Sequence, residues 1–565
     1  MTHPLFDTHE EILLKAVKAN HRRECFSAYP EIPSGTIYGE KARAGGERAY
    51  QARLGARFEI DQPGTKDWIG GEVSPYGPAL GITYPQVDLD VLFPAVECAL
   101  RSWRKVDYRA RVGACLEILH RLNMRSFEMA LAVMHTTGQG WMMAFQAGGP
   151  HAQDRGLEAV AYAYEEMSRV PCKSIWTKRV GREETVTLEK TFRIVPRGVA
   201  VTIGCSTFPT WNGYPGIFAS LATGNAVVIK PHPGAVLPLA ITVETAREVL
   251  REQGFDPNLV TLVVDSIDKP IAKELVTRPE VKIVDYTGSS AFGEWVEDHA
   301  KQAVVFTEKA GVNSVILDSV DDLRAVTGNL AFTLSLYSGQ MCTTSQNIFV
   351  PKDGIDVGGT RMSFDEVAGA VVKAVDWFVG EPKRACEVLG AIQNSATVAR
   401  IEEARNLEGC EVLRDSTTIA NEAFPEARVY SPMILKVDGS CEDVYMRELF
   451  GPISFVVATE NTKHSIELAA KAAREHGAIT CAIYSTDSDV IAQAEETTAT
   501  AGVPLSCNLT GSIWVNQSAA FSDYHVSGGN PSGNATLCDS AFVTNRFRVV
   551  QSRIPVKGPA AVAGV

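Results

Sequence analysis

The sequence has no hydrophobic run approaching the ~20 residues that a membrane-spanning helix needs, so no membrane span is expected. None of its 12 cysteines stands in a C-x-x-C pair or at metal-ligand spacing. That pattern implies reduced thiols, a cytoplasmic setting and no metal site. Positive charge is short as well: 54 Lys and Arg against 67 Asp and Glu leave a net charge of −13. A balance of that sign argues against a nucleic-acid partner and favours solubility. The N-terminus has no secretory layout, because Glu10 and Glu11 lie where a basic and an apolar region would be. Internal repeats and low-complexity stretches are missing. So is a G-x-G-x-x-G fingerprint, so the usual dinucleotide-binding glycine turn is not supported.

What is present is ordinary for a globular chain: 565 residues, 45% hydrophobic and 21% charged. The length suggests roughly three or four domains with room for a large core. Strand-like runs at 199–204, 226–229, 260–264, 281–285, 304–306 and 314–317 are separated by helix-like runs at 237–252, 269–276 and 289–299. Such alternation predicts an α/β, doubly wound parallel sheet. A second α/β stretch follows, with strand-like 348–350, 428–437 and 479–484 and helix-like 364–378, 396–406 and 462–474. Upstream, Ala95, Leu100, Trp103, Val112, Leu116, Leu119 and Leu122 give 93–125 a helical pattern, and 185–198 alternates like a half-exposed strand. Ile12, Leu13, Ala16 and Val17 predict a helix over 10–19. A basic run follows it, Lys41, Arg43, Arg48, Arg53 and Arg57. It reads either as a solvated face, the favoured view, or as an anion clamp.

Chemistry concentrates between a helix-like run over 323–337 and a strand-like run from 347, in Ser338-Gly339-Gln340-Met341-Cys342-Thr343-Thr344-Ser345. Cys342 lies in a turn among small polar residues. It reads as a buried structural thiol or as a nucleophile, since a lone cysteine needs partners to be catalytic. Glu308 supplies one: a carboxylate ending a short strand can deprotonate a water that attacks a thioester. The pair tips the balance towards catalysis. Ser289, opening a helix, can offer a hydroxyl and N–H groups to a pyrophosphate.

The G-Q-M-C-T-T run around Cys342 resembles the nucleophile motif of the aldehyde dehydrogenase superfamily. Four further stretches resemble that family's motifs in the same order: A-T-G-N-A-V-V-I-K-P ending at Pro231, Y-T-G-S-S-A-F-G from Tyr286 to Gly293, T-E-K-A-G-V-N around Glu308, and E-L-F-G-P from Glu448. The likeness runs from about residue 91 to about 553. It implies a Rossmann-type NAD(P)-binding domain over 91–309, interrupted by flap strands near 172–197. A catalytic domain over 310–515 and a C-terminal return with an oligomerisation segment over 516–565 would follow, leaving 1–90 as an N-terminal extension. The resemblance also assigns roles. Cys342 attacks an aldehyde to give a thiohemiacetal and then a thioester, and Glu308 activates the hydrolytic water. Lys230, Gly288, Ser289, Gly293, Glu448 and Phe450 bind the cofactor. A homodimer or homotetramer is implied by the flap.

Departures from the family pattern are specific. Counting back from Lys230 puts Thr207 where an oxyanion-binding Asn is usual, with Asn212 five positions too late to replace it. Gly216 stands where many members carry Lys, and Ala310 and Val312 break the glutamate motif. Pro233 occupies the position of a carboxylate that accepts the adenosine-ribose hydroxyls in NAD-preferring members. Its absence, with Lys230 free to meet a 2′-phosphate and His232 adding a hydrogen bond, predicts NADP as the preferred cofactor, NAD remaining possible. The long N-terminal extension and the C-S-T-F-P-T-W-N run are similar to the phenylacetate-degradation type without a fused hydratase domain. The implied substrate is then a CoA-linked or other semialdehyde from aromatic-ring cleavage. A CoA-acylating dehydrogenase and a non-catalytic scaffold of the same fold are the alternatives.

Overall fold

The computed structural model describes residues 3–182, 184–309 and 311–556. Its centre is a five-stranded, wholly parallel sheet in the order Val260–Leu262, Ala226–Lys230, Val199–Ile203, Val281–Gly288, Val304–Lys309. Val201 sits in register between Val228 and Val284. The inner strands are buried Val, Ile and Ala runs, as expected where helices cover both faces. Strand order reverses between Val199–Ile203 and Val281–Gly288. In an open α/β sheet, ligands bind outside the carboxyl ends of the strands at such a crevice.

The chain then passes from Lys309 into Asn313–Leu317, a strand of a second, seven-stranded sheet. Strands Ser345–Pro351, Ile453–Thr459 and Met433–Asp438 extend it on one side and Cys481–Tyr484 and Leu505–Cys507 on the other, all parallel. Only Cys410–Arg414, at one edge, runs antiparallel. A third sheet stands apart: Lys173–Val180 and Glu184–Pro196 form a hairpin, and Phe547–Pro555 pairs along the second strand. Among the described residues no helix is long and apolar enough to cross a membrane.

Several elements differ from their sequence signals. The pattern over 93–125 is two helices, Leu89–Trp103 and Tyr108–Met124. Asp107 caps the second by accepting from the Arg109 N–H at 2.8 Å. The expected strand over 428–437 begins only at Met433, after Pro432 removes a ladder donor. Pro209–Ala222 was not expected to be helical: it holds Gly213, Pro215 and Gly216 and is buried nearly all round, so no amphipathic stripe betrays it. Val312, out of family pattern, is a core residue of the second sheet, whereas Ala310 lies outside the described residues.

The first 90 residues brace the first sheet. Gln62 donates to the Leu262 carbonyl at 2.7 Å and accepts from the Leu262 N–H at 2.9 Å, satisfying the exposed edge of that strand. The buried Glu72 carboxylate accepts the N–H groups of Val236 and Leu237 at 2.6 and 3.1 Å, at the start of helix Leu237–Glu252. The basic run is no free clamp. Arg53 pairs with Glu244 at 2.7 Å and Glu128 at 3.4 Å, and Arg43 pairs with Glu47 at 3.2 Å. No member of the run lines the large cavity described next.

Candidate active site

Helix Leu323–Ser335 ends in a turn where Tyr337, Ser338 and Gly339 have φ of 53°, 48° and 64°. Two of the three carry a Cβ in the left-handed region, a conformation that persists only when the surroundings hold it. Ser338 Oγ donates to the carbonyls of Leu389 and Tyr430, both at 3.0 Å. The Gln340 amide donates to the Tyr337 and Ala391 carbonyls at 3.2 and 3.1 Å and accepts from the Gln393 N–H at 2.8 Å. At Gly339 only glycine fits, because a Cβ would come within 2.3 Å of the Gly451 carbonyl oxygen. Beyond the turn, Asn313 Nδ2 donates to the Cys342 and Thr344 carbonyls at 2.8 and 3.0 Å. Its Oδ1 accepts from the N–H groups of Ile479 and Thr480. Cys342 is thereby suspended, partly exposed, at the mouth of the strand that follows.

Glu308, near the end of Val304–Lys309, is buried. One carboxylate oxygen accepts from Asn212 Nδ2 at 2.8 Å and the other from His525 Nε2 at 2.9 Å. The same Nε2 is 3.7 Å from Cys342 Sγ. The three ligand atoms of Glu308, Cys342 and His525 all lie within 4.8 Å of one another. His525 is brought there by the C-terminal segment laid along the Glu308 strand: Lys309 N–H donates to the Ser532 carbonyl at 2.6 Å, and Thr307 N–H to Asn534 Oδ1 at 2.8 Å. Burial works to raise the Glu308 carboxyl; the His525 ring, through its charge when protonated and through its hydrogen bond, acts against it with the Cys342 thiol and Asn212, and the group lies below its usual range. Burial, then the Glu308 charge, push the Cys342 thiol well above its usual range.

These residues meet a cavity of about 500 Å³ at the crevice of the first sheet. Cys342, Glu308, Thr207, Lys230, Gly288, Ser289, Glu448 and Phe450 all line it; Gly293 does not. Gly293 lies one turn into helix Ser290–His299 and packs on Lys309, whose Cγ a Cβ there would approach to 2.7 Å. Ser289 is the N-cap of that helix, makes no side-chain cap bond and lines the cavity. A phosphate fits such an end. Burial pushes Glu448 up to about 7 against the opposing Arg400 charge.

Lys230 is not free, contrary to the premise drawn from Pro233. Its Nζ is 2.7 Å from the buried Asp265 carboxylate. His232 is neutral: burial first, then Lys230, push it down to about 4, and its Nδ1 accepts from the Gly234 N–H at 3.1 Å. Asn212, set aside on sequence register, stands in the cluster because Pro209–Ala222 is helical and carries it in its first turn. Thr207 keeps its hydroxyl 4.0 Å from Cys205 Sγ, while its carbonyl accepts from Gln139 at 2.8 Å. Gly216 has its own reason. A Cβ would stand 2.5 Å from Asp285 Cγ, and the guanidinium of buried Arg546 donates to both Asp285 oxygens and to Ser220 Oγ at 2.7 Å. Arg546 thus occupies the region into which a lysine at 216 would project. His525 and Arg546 are isolated residues in the C-terminal segment, and no sequence signal marked either.

Comparison with known proteins places the chain in context. The family model described as "Aldehyde dehydrogenase family" matches residues 84–537. A crystal structure of an NAD-dependent aldehyde dehydrogenase from Burkholderia multivorans superposes with a TM-score of 0.97 at 54% identity, covering 99% of this chain and 100% of that one. An N-succinylglutamate 5-semialdehyde dehydrogenase from Burkholderia multivorans is 25% identical over 369 residues, 63% of this chain and 67% of its own length. Geranial dehydrogenase from Castellaniella defragrans is 27% identical over 412 residues, 71% of this chain and 79% of its own length.

Proposed function

Since the chain belongs to the aldehyde dehydrogenase family, we propose that it oxidises an aldehyde to the carboxylic acid through a thioester on Cys342. The observation that carries this reading is the convergence of Cys342 Sγ and the Glu308 carboxylate within 4.8 Å, at a cavity also lined by Lys230 and Ser289. Sγ adds to the aldehyde carbon, and the Thr207 hydroxyl donates to the resulting oxyanion from the cavity wall. A nicotinamide cofactor, when bound, supplies the acceptor for the hydride. Ser289 would hold its pyrophosphate, Lys230 the adenosine ribose and Glu448 the second ribose, with Phe450 offering apolar surface to the nicotinamide. Once its carboxyl has released the thiol proton to solvent through the cavity and is ionised again, Glu308 deprotonates the water that attacks the thioester. A deacylating carboxylate already turned towards the nucleophile favours hydrolysis over release to free CoA.

The cofactor reading changes from NADP to NAD. Pro233 removes one carboxylate, yet Asp265 cancels the Lys230 charge that was to meet a 2′-phosphate. Two unit charges at 4 Å are worth about 4 kcal/mol at an effective dielectric near 20, so the cancellation is large. The 54%-identical structure is also of a protein called NAD-dependent. The substrate we infer is a semialdehyde of aromatic catabolism, CoA-linked or free. Self-association is supported by Ile175, Trp176, Val549, Val550 and Ile554, large apolar side chains exposed on the three-stranded sheet. The test is a spectrophotometric screen of aldehydes and semialdehydes with both cofactors on the wild type and Cys342→Ala. Turnover with NAD in the wild type and none in the variant is expected; more than trace turnover in Cys342→Ala overturns the assignment.

A further inference from the structure

We propose that His525 is a catalytic residue whose Nε2–H is a movable hydrogen-bond donor, stabilising Glu308 at rest and the Cys342 thiolate as it forms. The inference rests on the thioester reading for its context, but its geometry stands alone. One nitrogen, Nε2, faces both Glu308 Oε1 at 2.9 Å and Cys342 Sγ at 3.7 Å. In a relay of the protease kind the carboxylate would bind the opposite nitrogen, Nδ1. Here Nδ1 is buried and has no hydrogen-bond partner among the described residues. An ionised carboxylate only accepts, so the neutral ring carries its hydrogen on Nε2. A hydrogen on Nδ1 would be an unpaired buried donor, the rarer and costlier arrangement.

The ring is held in place independently of either partner. It lies nearly perpendicular to the Trp211 ring, 4.7 Å between centroids and 80° between planes, and the Arg155 guanidinium lies over Trp211 at 4.8 Å. The His525 main chain exchanges two hydrogen bonds with Leu537, at 3.3 and 2.9 Å. The Cys205 thiol also feels the Glu308 charge, and burial first pushes it up to about 11.

The step balances with the groups present. The Sγ–H bond breaks and its proton passes to the Glu308 carboxylate, which becomes neutral. Nε2–H keeps its proton and turns from the now uncharged oxygen to Sγ. The sulfur lone pair forms the S–C bond, and the carbonyl π pair moves onto oxygen. One negative charge travels from carboxylate to sulfur to oxygen, and the histidine donor follows its first move. Asn212 holds the other Glu308 oxygen throughout.

The experiment uses the full chain as wild type, His525→Ala, His525→Gln, Glu308→Gln and the Glu308→Gln/His525→Ala double variant. The first readout is the pH profile of Cys342 alkylation by iodoacetamide, which needs no aldehyde turnover. In the Glu308→Gln background Sγ is the only anionic partner left to Nε2–H. Removing His525 there is expected to move the alkylation midpoint up by about one pH unit and to slow labelling at neutral pH roughly tenfold. The second readout is the pre-steady-state burst of NADH. It should slow at least tenfold in His525→Ala, with NAD binding unchanged and with partial recovery in His525→Gln, which keeps a neutral donor. Coincident alkylation profiles for Glu308→Gln and the double variant overturn the proposal, whatever happens to turnover. An undiminished burst in folded His525→Ala overturns it as well. A shifted profile in a protein that oxidises no aldehyde would leave this role standing and defeat the thioester reading instead.

Discussion

Replacing Glu308 by Gln should make Cys342 more reactive towards an alkylating agent even as it stops turnover. The carboxylate charge lies within 4.8 Å of Sγ. At that separation and an effective dielectric near 20, it opposes the thiolate by about 3.5 kcal/mol. Removing it lowers the thiol pKa by about 2.5, since one pKa unit is 1.36 kcal/mol. At a pH below both values the thiolate fraction then rises roughly 300-fold. A less basic thiolate is also a weaker nucleophile, with a Brønsted slope of about 0.4–0.5, which removes nearly half of the logarithmic gain. The net expectation is alkylation roughly 20-fold faster at neutral pH. The substitution also has a structural cost. Asn212 and His525 both donate to this side chain, and a Gln amide offers only one oxygen, so one buried donor faces another. That costs about 1–3 kcal/mol, and thermal unfolding should accompany the kinetics. The assay is iodoacetamide labelling read by mass spectrometry of the Cys342 peptide between pH 6 and 9. Labelling of folded Glu308→Gln at the wild-type rate or slower would refute the electrostatic reasoning.

Other outcomes follow from neighbouring groups. Arg546→Met strands a buried Asp285 carboxylate and should destabilise the protein by about 3–5 kcal/mol, whereas Asp285→Asn/Arg546→Met should recover most of it; chemical denaturation of both variants decides. Burial raises the folded pKa of Glu448 to about 7, so its contribution to stability is full below the ordinary value of about 4.5 and is lost as pH rises through 7. Glu448→Gln should therefore flatten the pH dependence of the unfolding midpoint between pH 5 and 8, and an unchanged slope would contradict the burial of that carboxyl. Asp265→Asn frees the Lys230 charge and should raise kcat/KM for NADP relative to NAD at least tenfold; a ratio that stays put means Lys230 does not meet the adenosine ribose.

The parallel strands of the first sheet were legible because buried β-branched runs such as Val199–Ile203 and Ala226–Lys230 admit few other readings. Cys342 and Glu308 were legible because each sits where a regular element stops, in a run of small or polar residues. Pro209–Ala222 was not, since a helix buried on every side carries no period, and its Pro and Gly residues read as breakers. That one omission hid Asn212: by register it stands five positions too late for the family's Asn, whereas the first turn of the helix brings it to Glu308. His525 and Arg546 reach the site by tertiary return of the C-terminal segment, a contact between residues 217 and 261 positions apart from their carboxylate partners. Asp265 escaped for a similar reason, because it follows a neighbouring strand rather than the Lys230 motif.

The most direct measurement is intact-protein and peptide mass spectrometry of Glu308→Gln after mixing with NAD and an aldehyde that the wild type oxidises. The expected result is a mass gain equal to the aldehyde less two hydrogens, confined to the peptide bearing Cys342, formed together with one equivalent of NADH and persisting for minutes. An adduct on another cysteine such as Cys205, or NADH produced through many turnovers with no adduct on Cys342, would contradict a thioester at Cys342 resolved by Glu308.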